Sequence, residues 1–309
     1  MAKIAFLCPG QASQVVGMGK DLVKSFDIAK DRFQQADEIM GAELSRICFE
    51  GPEETLKQTQ YTQPALYVHS AVAAELLASR GIHPAMAAGH SLGEYSALFA
   101  AGAFSFEEGL KVVKIRGEGM QRSGEENPGT MAAIIGLEEA HVRDICANAS
   151  TVGVVQPANF NSPGQVVISG SFSGVERGME LAKEAGAKMV KQLVVSGAFH
   201  SPLMKPAGES LFAALEDMKI STPRCPVFAN VSATALTDPE DIRQALKDQL
   251  LSPVLWMHSV QAMIAAGADQ FMEIGPGQVL TGLLKRIDRN VSGMAAGTVE
   301  SLDKAFESI

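Results

Sequence analysis

The sequence predicts an α/β protein: a larger α/β unit over residues 1–125 and 197–309, interrupted by a small β-α-β-β-α-β insert over 126–196. Lys3 to Cys8 (KIAFLC) is a short apolar run stopped by Pro9-Gly10, the pattern of a buried strand. Gly89-His90-Ser91-Leu92-Gly93 stands between a second apolar run and a small-residue helix, the setting in which a strand-to-helix turn mounts a reactive serine. From 126 to 196 the periodicity changes, and two strand-helix-strand units run together with a strand pair at their junction.

In chain order, KIAFLC predicts a central strand, followed by the loop GQASQ and a helical stretch from about Met18. Residues 63–80 (QPALYVHSAVAAELLASR) are apolar nearly all round, which predicts a buried helix with Pro64 in its first turn and Gly81 at its end. AMAAG leads as a strand to Ser91, and LGEYSALFAAGA continues as a helix able to pack closely on a sheet. The motif ENPG at 126–129 is the expected link into the insert. There, TMAAIIG predicts a strand, EEAHVRDICANAS an amphipathic helix, VGVVQPANF and QVVISG two strands separated by NSPG, GVERGMELAKEAG a helix and KMVKQLVVS a strand. That order is the split βαβ of ferredoxin-like domains, and about 70 residues suffice for a small domain. Beyond it, PVFANVSA and DQFMEIGP predict strands, and 239–250 and 256–266 predict helices of the larger unit.

Composition narrows the function. The 309 residues are 46% hydrophobic, enough to bury a sizeable core in about two domains. A net charge of −9 argues against nucleic acid or an anionic membrane as general partners, so an anionic ligand must meet a local basic site. Cys8, Cys48, Cys146 and Cys225 stand singly, with no C-x-x-C pair and no histidine at ligand spacing. Neither a disulfide framework nor a metal site is predicted, which fits a reducing cytoplasm. MAKIAFLCPGQ makes a poor signal peptide, and no stretch approaches the roughly 18 apolar residues of a membrane span. Oligomeric state is not legible, and a monomer is the working expectation.

Ser91 is the candidate nucleophile. The turn exposes its hydroxyl and leaves the N–H of Leu92 at a helix start, aimed where an oxyanion would form. A serine hydroxyl needs a base. Of the six histidines, His90 is too close in sequence to fold back onto Ser91, His141 and His83 lie in polar surroundings, and His69 and His258 read as satisfied helix residues. His200, in GAFHSP, lies where the chain re-enters the larger unit, at a seam between domains. Between residues 150 and 199 the only carboxylates are Glu176, Glu180 and Glu184, a solvated helical stripe. An acid from elsewhere or a neutral acceptor such as a backbone carbonyl must therefore orient the imidazole. In EEGLKVVKIRGEGMQR, Arg116 falls on the apolar stripe with Leu110, Val113, Gly117 and Met120. A guanidinium there calls for a carboxylate or phosphate partner, held in a bidentate fork.

Several unlinked stretches, FLCPGQASQ, QPALYVHS, GHSLGEYSAL, the Arg116 helix, ANFNSPGQVVISG, GAFHSPLM, QLLSPVLW and EIGPGQVLTGL, resemble the malonyl-CoA:acyl carrier protein transacylases over essentially the whole chain. The resemblance implies an α/β-hydrolase-like large domain with an inserted ferredoxin-like small domain. It implies Ser91 as the residue that forms a malonyl ester, His200 as its base and Arg116 as the fork for the malonyl carboxylate. Gln11 and Leu92 would supply the oxyanion-hole N–H groups, and Gln249 a backbone carbonyl that orients His200. Ala12 replaces the glycine common in the first loop, and Asn159 and Asn161 match the family pattern. Phe199 beside His200 is similar to malonyl-selective members, where a bulky ring disfavours an added methyl group. Malonyl-CoA would be a substrate, the acyl carrier protein the acceptor, and no cofactor or metal is implied. Because enzyme, CoA and carrier are all acidic, Lys188, Lys191, Lys285 and Arg286 are candidates for a basic rim. The sequence leaves open a polyketide carrier instead of a fatty-acid one, a serine esterase or thioesterase on the same scaffold, and a binding scaffold in which Ser91 is structural.

Overall fold

A computed structural model of the chain describes residues 3–308. It has an α/β architecture with two sheets. The strands are β1 (Ile4–Cys8), β2 (Met86–Gly89), β3 (Thr130–Ile135), β4 (Val155–Ser162), β5 (Gln165–Gly170), β6 (Met189–Gln192), β7 (Val227–Phe228), β8 (Ala235–Leu236), β9 (Gln270–Glu273) and β10 (Ser292–Ala295).

The larger sheet runs β10-β9-β1-β2-β7-β8, parallel except for the antiparallel edge strand β8. β1 lies in its middle, with Ala5 to Cys8 at most 1% exposed, as its unbroken apolar run requires. The four-stranded sheet β4-β5-β3-β6 is antiparallel throughout and is crossed by the helices Glu139–Ala149 and Phe172–Glu184. One face of this sheet packs a core around Ile134, Val142, Phe160 and Ile168, while Met131, Ala158 and Val167 join the large core.

Two helices carry the site against the larger sheet. Thr59–Ser79 is buried along most of its length, and Phe106–Glu126 begins with a capping box between Ser105 and Glu108. Pro64 was expected in a first turn but sits within the former helix, because the helix starts earlier, at Thr59. Polar Gln60 and Tyr61 mask that extra turn from an apolar-periodicity reading. KMVKQLVVS forms a strand only over Met189–Gln192 before the chain leaves the sheet. The insert and the larger unit are joined by backbone bonds, with Val254 N–H donating to Ala158 and Phe160 N–H to Val254.

Candidate active site

The Gly89–Gly93 turn is shaped by close approach. β2 ends at Gly89, the helix Gly93–Ala100 begins at once, and Ser91 between them has φ 52°, in the left-handed region. A Cβ on Gly89 would lie 1.8 Å from the Gly93 carbonyl carbon, and one on Gly93 would lie 2.0 Å from the Cys8 carbonyl oxygen. The turn is thus pressed onto the end of β1. Left-handed backbone costs a serine on the order of 1 kcal/mol, and side-chain hydrogen bonds hold it there. Ser91 N–H donates to Asn230 Oδ1 at 2.7 Å, while Asn230 Nδ2 donates to the Gly89 carbonyl at 2.7 Å.

Two backbone donors remain free beside Ser91. Among the described residues, the N–H groups of Leu92 and Gln11 have no acceptor. The first loop lies against the turn: a Cβ on Gly10 would come within 2.3 Å of the His90 carbonyl oxygen. Ala12 has φ 84°, so an alanine holds the left-handed conformation that glycine adopts freely, and its N–H donates to Gln14 Oε1 at 2.8 Å.

Ser91 Oγ lies 2.8 Å from His200 Nε2. His200 Nδ1 faces the carbonyl oxygens of Gln249 at 2.9 Å and Ser252 at 3.1 Å. Carbonyls only accept, so Nδ1 carries the hydrogen and Nε2 presents its lone pair to the serine. The acid missing from the sequence is thus replaced by two neutral acceptors. Burial and then the Arg116 charge push the His200 pKa down to about 3, which keeps the imidazole neutral.

Arg116 is 1% exposed on the inner face of its helix. Its Nη1 donates to Gln63 Oε1 at 2.6 Å, and its Nη2 donates to Gln249 Oε1 at 2.9 Å and to Ser91 Oγ at 3.1 Å. The guanidinium stands 5.6 Å from the Tyr95 ring centre, and its Nε has no partner among the described residues. Burial lowers its pKa, opposed by Tyr95 and Glu94. Among the described residues, no carboxylate forms an ion pair with it. The carboxylate that acts on its charge is Glu94, one residue beyond the Gly89–Gly93 turn and 2% exposed. Glu94 Oε2 accepts from Gln249 Nε2 at 2.6 Å and from Asn230 N–H at 3.2 Å. Guanidinium, Gln249 amide and Glu94 carboxylate form a polarised chain that fixes which end of the amide faces Arg116. Burial raises the Glu94 pKa to about 7.

The structure brings together Ser91, His200, Arg116 and Gln249, with Leu92 and Gln11 alongside. Phe199 is 6% exposed and packs in the larger core. Asn161 Oδ1 meets His90 Nε2 at 2.8 Å, while Asn159 bridges to Val254. The four basic-rim candidates are not among the hydrogen-bond partners of these residues, and Arg286 Nη1 instead donates to Gln165 Oε1 at 2.9 Å. His258 matches its sequence reading as a partly buried helix residue, with Nε2 3.2 Å from Glu139. His69 departs from it, 1% exposed with neither ring nitrogen in a well-formed hydrogen bond among the described residues. Sequence reasoning missed Gln63, Glu94, Asn230 and Ser252. Only Glu94 left a trace, as a lone carboxylate opening an apolar helix; the others are ordinary polar residues until the fold juxtaposes them.

A serine hydrogen-bonded to a neutral histidine, beside N–H donors and a buried guanidinium, is an arrangement chemically capable of acyl transfer to and from an acidic acyl group. The family described as acyl transferase domain matches residues 5–302. The chain belongs to this family and, within it, to the malonyl-CoA:acyl carrier protein transacylases. The malonyl CoA-acyl carrier protein transacylase of Bacillus subtilis is 46% identical over 310 residues, spanning 100% of this chain and 98% of that protein. A crystal structure of an acyl carrier protein S-malonyltransferase from Vibrio cholerae matches with a TM-score of 0.95 and 46% identity, covering 98% and 100% of the two chains. PlMCAT in complex with AntF, described as a type II PKS acyl-carrier protein with its malonyl-transacylase, matches with a TM-score of 0.96 and 41% identity over the full length of both.

Proposed function

We propose that the protein transfers the malonyl group of malonyl-CoA to the phosphopantetheine thiol of an acyl carrier protein, feeding fatty acid synthesis. The observation that carries this reading is the buried Arg116 guanidinium, 3.1 Å from Ser91 Oγ and without a carboxylate of its own. A substrate carboxylate completes it in a bidentate fork.

In the first step His200 Nε2 takes the Ser91 proton as Oγ attacks the thioester carbonyl. The developing oxyanion is held by the N–H groups of Gln11 and Leu92. The carbon–sulfur bond breaks, and CoA leaves with the proton from His200. In the second step His200 deprotonates the carrier thiol, the sulfur attacks the malonyl ester, and Ser91 leaves with its proton restored. The Gln249 carbonyl keeps the imidazole in the required tautomer throughout. Arg116 anchors the malonyl carboxylate, and Phe199 disfavours a methyl branch at the α-carbon by about 1–3 kcal/mol. Thioester, ester and thioester are close in energy, so this chemistry needs neither a metal nor a redox cofactor.

The same reading takes residues 1–125 and 197–309 as an α/β-hydrolase-like domain and 126–196 as a ferredoxin-like insert, supported by the two separate sheets and their strand orders. Four free, buried cysteines support a reducing cytoplasmic setting, and the enzyme is proposed to work as a monomer. Among the described residues, no helix is long and apolar enough to cross a membrane.

Weighing the intact protein after incubation with malonyl-CoA tests the intermediate. A malonyl-sized addition on wild type that is absent from Ser91→Ala is expected, and an unmodified wild type would sink the covalent route. Chasing the malonylated enzyme with fatty-acid and polyketide carrier proteins separates the two acceptors, and faster discharge by the polyketide carrier would overturn the fatty-acid assignment.

A further inference from the structure

We infer that Gln156, on β4 of the insert, is a positioning residue for His200. His200 has φ 57°, a left-handed conformation that is uncommon for any residue with a side chain. Its ring is gripped by the carbonyls of Gln249 and Ser252, but those bonds fix the imidazole only if its backbone is fixed as well. Gln156 Nε2 lies 2.7 Å from the His200 carbonyl oxygen and 2.9 Å from the Leu251 carbonyl oxygen. Both contacts are acceptors, so the amide nitrogen, with its two hydrogens, must face them, and both hydrogens are used.

The result is a closed circuit. Residues 249–252 hold the ring through two carbonyls, and through Leu251 and Gln156 the same segment holds the His200 backbone. β4 is anchored at this place by the backbone bonds between Ala158, Phe160 and Val254, so the Gln156 side chain extends from a fixed strand. Farther along β4, Asn161 reaches His90, the neighbour of the nucleophile. The insert thereby braces both sides of the Ser91–His200 pair, although it supplies neither residue. An apolar side chain at 156 would leave the two carbonyls without this bridge and the His200 backbone free to relax out of its left-handed state.

The inference rests on His200 being the base. Gln156→Met keeps the side-chain length and removes both donors. It is expected to lower kcat for malonyl transfer between about 10-fold and about 100-fold, the penalty of a misplaced catalytic group, with KM unchanged and the thermal midpoint lowered by a few degrees as two carbonyls lose their donor. Gln156→Glu sets a carboxylate against two carbonyls. Its kcat relative to wild type should rise as the pH is lowered and the new carboxyl regains one donor, a signature that a purely structural role would not produce. Should Gln156→Met fail to fold, this pH ratio carries the test. A wild-type kcat in Gln156→Met overturns the proposal, as does a raised KM at unchanged kcat, which would make Gln156 a substrate contact, or a pH-independent ratio for Gln156→Glu. His200→Ala keeps the two readings apart. Full activity there removes the base itself, whereas an inactive His200→Ala with an unaffected Gln156→Met removes only the positioning role.

Discussion

Arg116 and His200 sit on either side of Ser91 Oγ and share more than proximity. The guanidinium is the second cause of the low His200 pKa, after burial. Removing it has two separable effects. In Arg116→Ala, malonyl transfer should fall at least about 10-fold, since charge-assisted hydrogen bonds contribute roughly 1.5–3 kcal/mol each, while acetyl transfer is spared or improved. Equal losses for both acyl groups in steady-state assays would refute the carboxylate role. The second effect is on pH. With its pKa held at about 3, His200 stays neutral well below the ordinary imidazole value of 6.5, so the acid limb of wild-type Ser91 acylation should lie below that value. Measured with acetyl-CoA, the limb should move upward in Arg116→Ala. Glu94 adds a stability term of opposite sense. Its folded pKa of about 7 exceeds the ordinary carboxyl value of 4.5, so the fold favours its protonated form, and the stability this provides is lost as pH rises through that window. Denaturant unfolding of Glu94→Gln should lack that decline.

Elements deliver these residues through their ends. Ser91 stands where β2 meets a helix, His200 where the insert returns to the larger unit, and Gln249 at the last turn of the helix Pro239–Gln249. The helix Val279–Ile287 is held in a comparable way. The buried Glu273 at the end of β9 accepts from the N–H groups of Leu280 and Thr281 at 3.0 and 2.8 Å and from the Thr281 hydroxyl at 2.8 Å. Glu273→Ala leaves three donors unpaired and should destabilise the protein by about 1–3 kcal/mol in chemical denaturation, and a loss within error of zero would mean that water replaces the cap. At this scale the sequence was highly legible. KIAFLC, the apolar stripe of the Arg116 helix and the alternation over 130–192 each carry a local pattern strong enough to survive tertiary packing. The start of the helix Thr59–Ser79 was not legible, because polar residues in its first turn break the apolar period that marks the rest.

For the whole molecule, imidazoles held neutral by the fold contribute to behaviour in acid. Burial lowers the pKa of His69 to about 4 and that of His200 to about 3, and desolvation also lowers that of the half-buried His90. Each takes up a proton on unfolding before it does in the fold, so stability is full above pH 6.5 and is lost as pH falls below it. His69 lies outside the proposed chemistry and isolates the effect. Between pH 6.5 and about 4 it should remove about 3 kcal/mol, and the wild-type denaturation midpoint should fall more steeply over that range than that of His69→Gln. Parallel midpoints would place the acid sensitivity elsewhere.

The chain's own order of residues determined the α/β class, the strand-turn-helix around Ser91, the strands of the four-stranded sheet and the placement of Arg116 on an apolar stripe, because each depends on periodicity or steric demands within a few neighbouring residues. It also supplied His200 as the base candidate, through its position at a seam. Tertiary structure alone added the second carbonyl that faces His200 beside that of Gln249, and decided what stands behind Arg116 and what ties β4 to the site. Those answers lie in Glu94, Asn230, Ser252 and Gln156, which meet their partners across separations of 44 to 155 residues. Hydrogen bonds between such distant groups follow from how sheets and helices pack, and no local pattern records them.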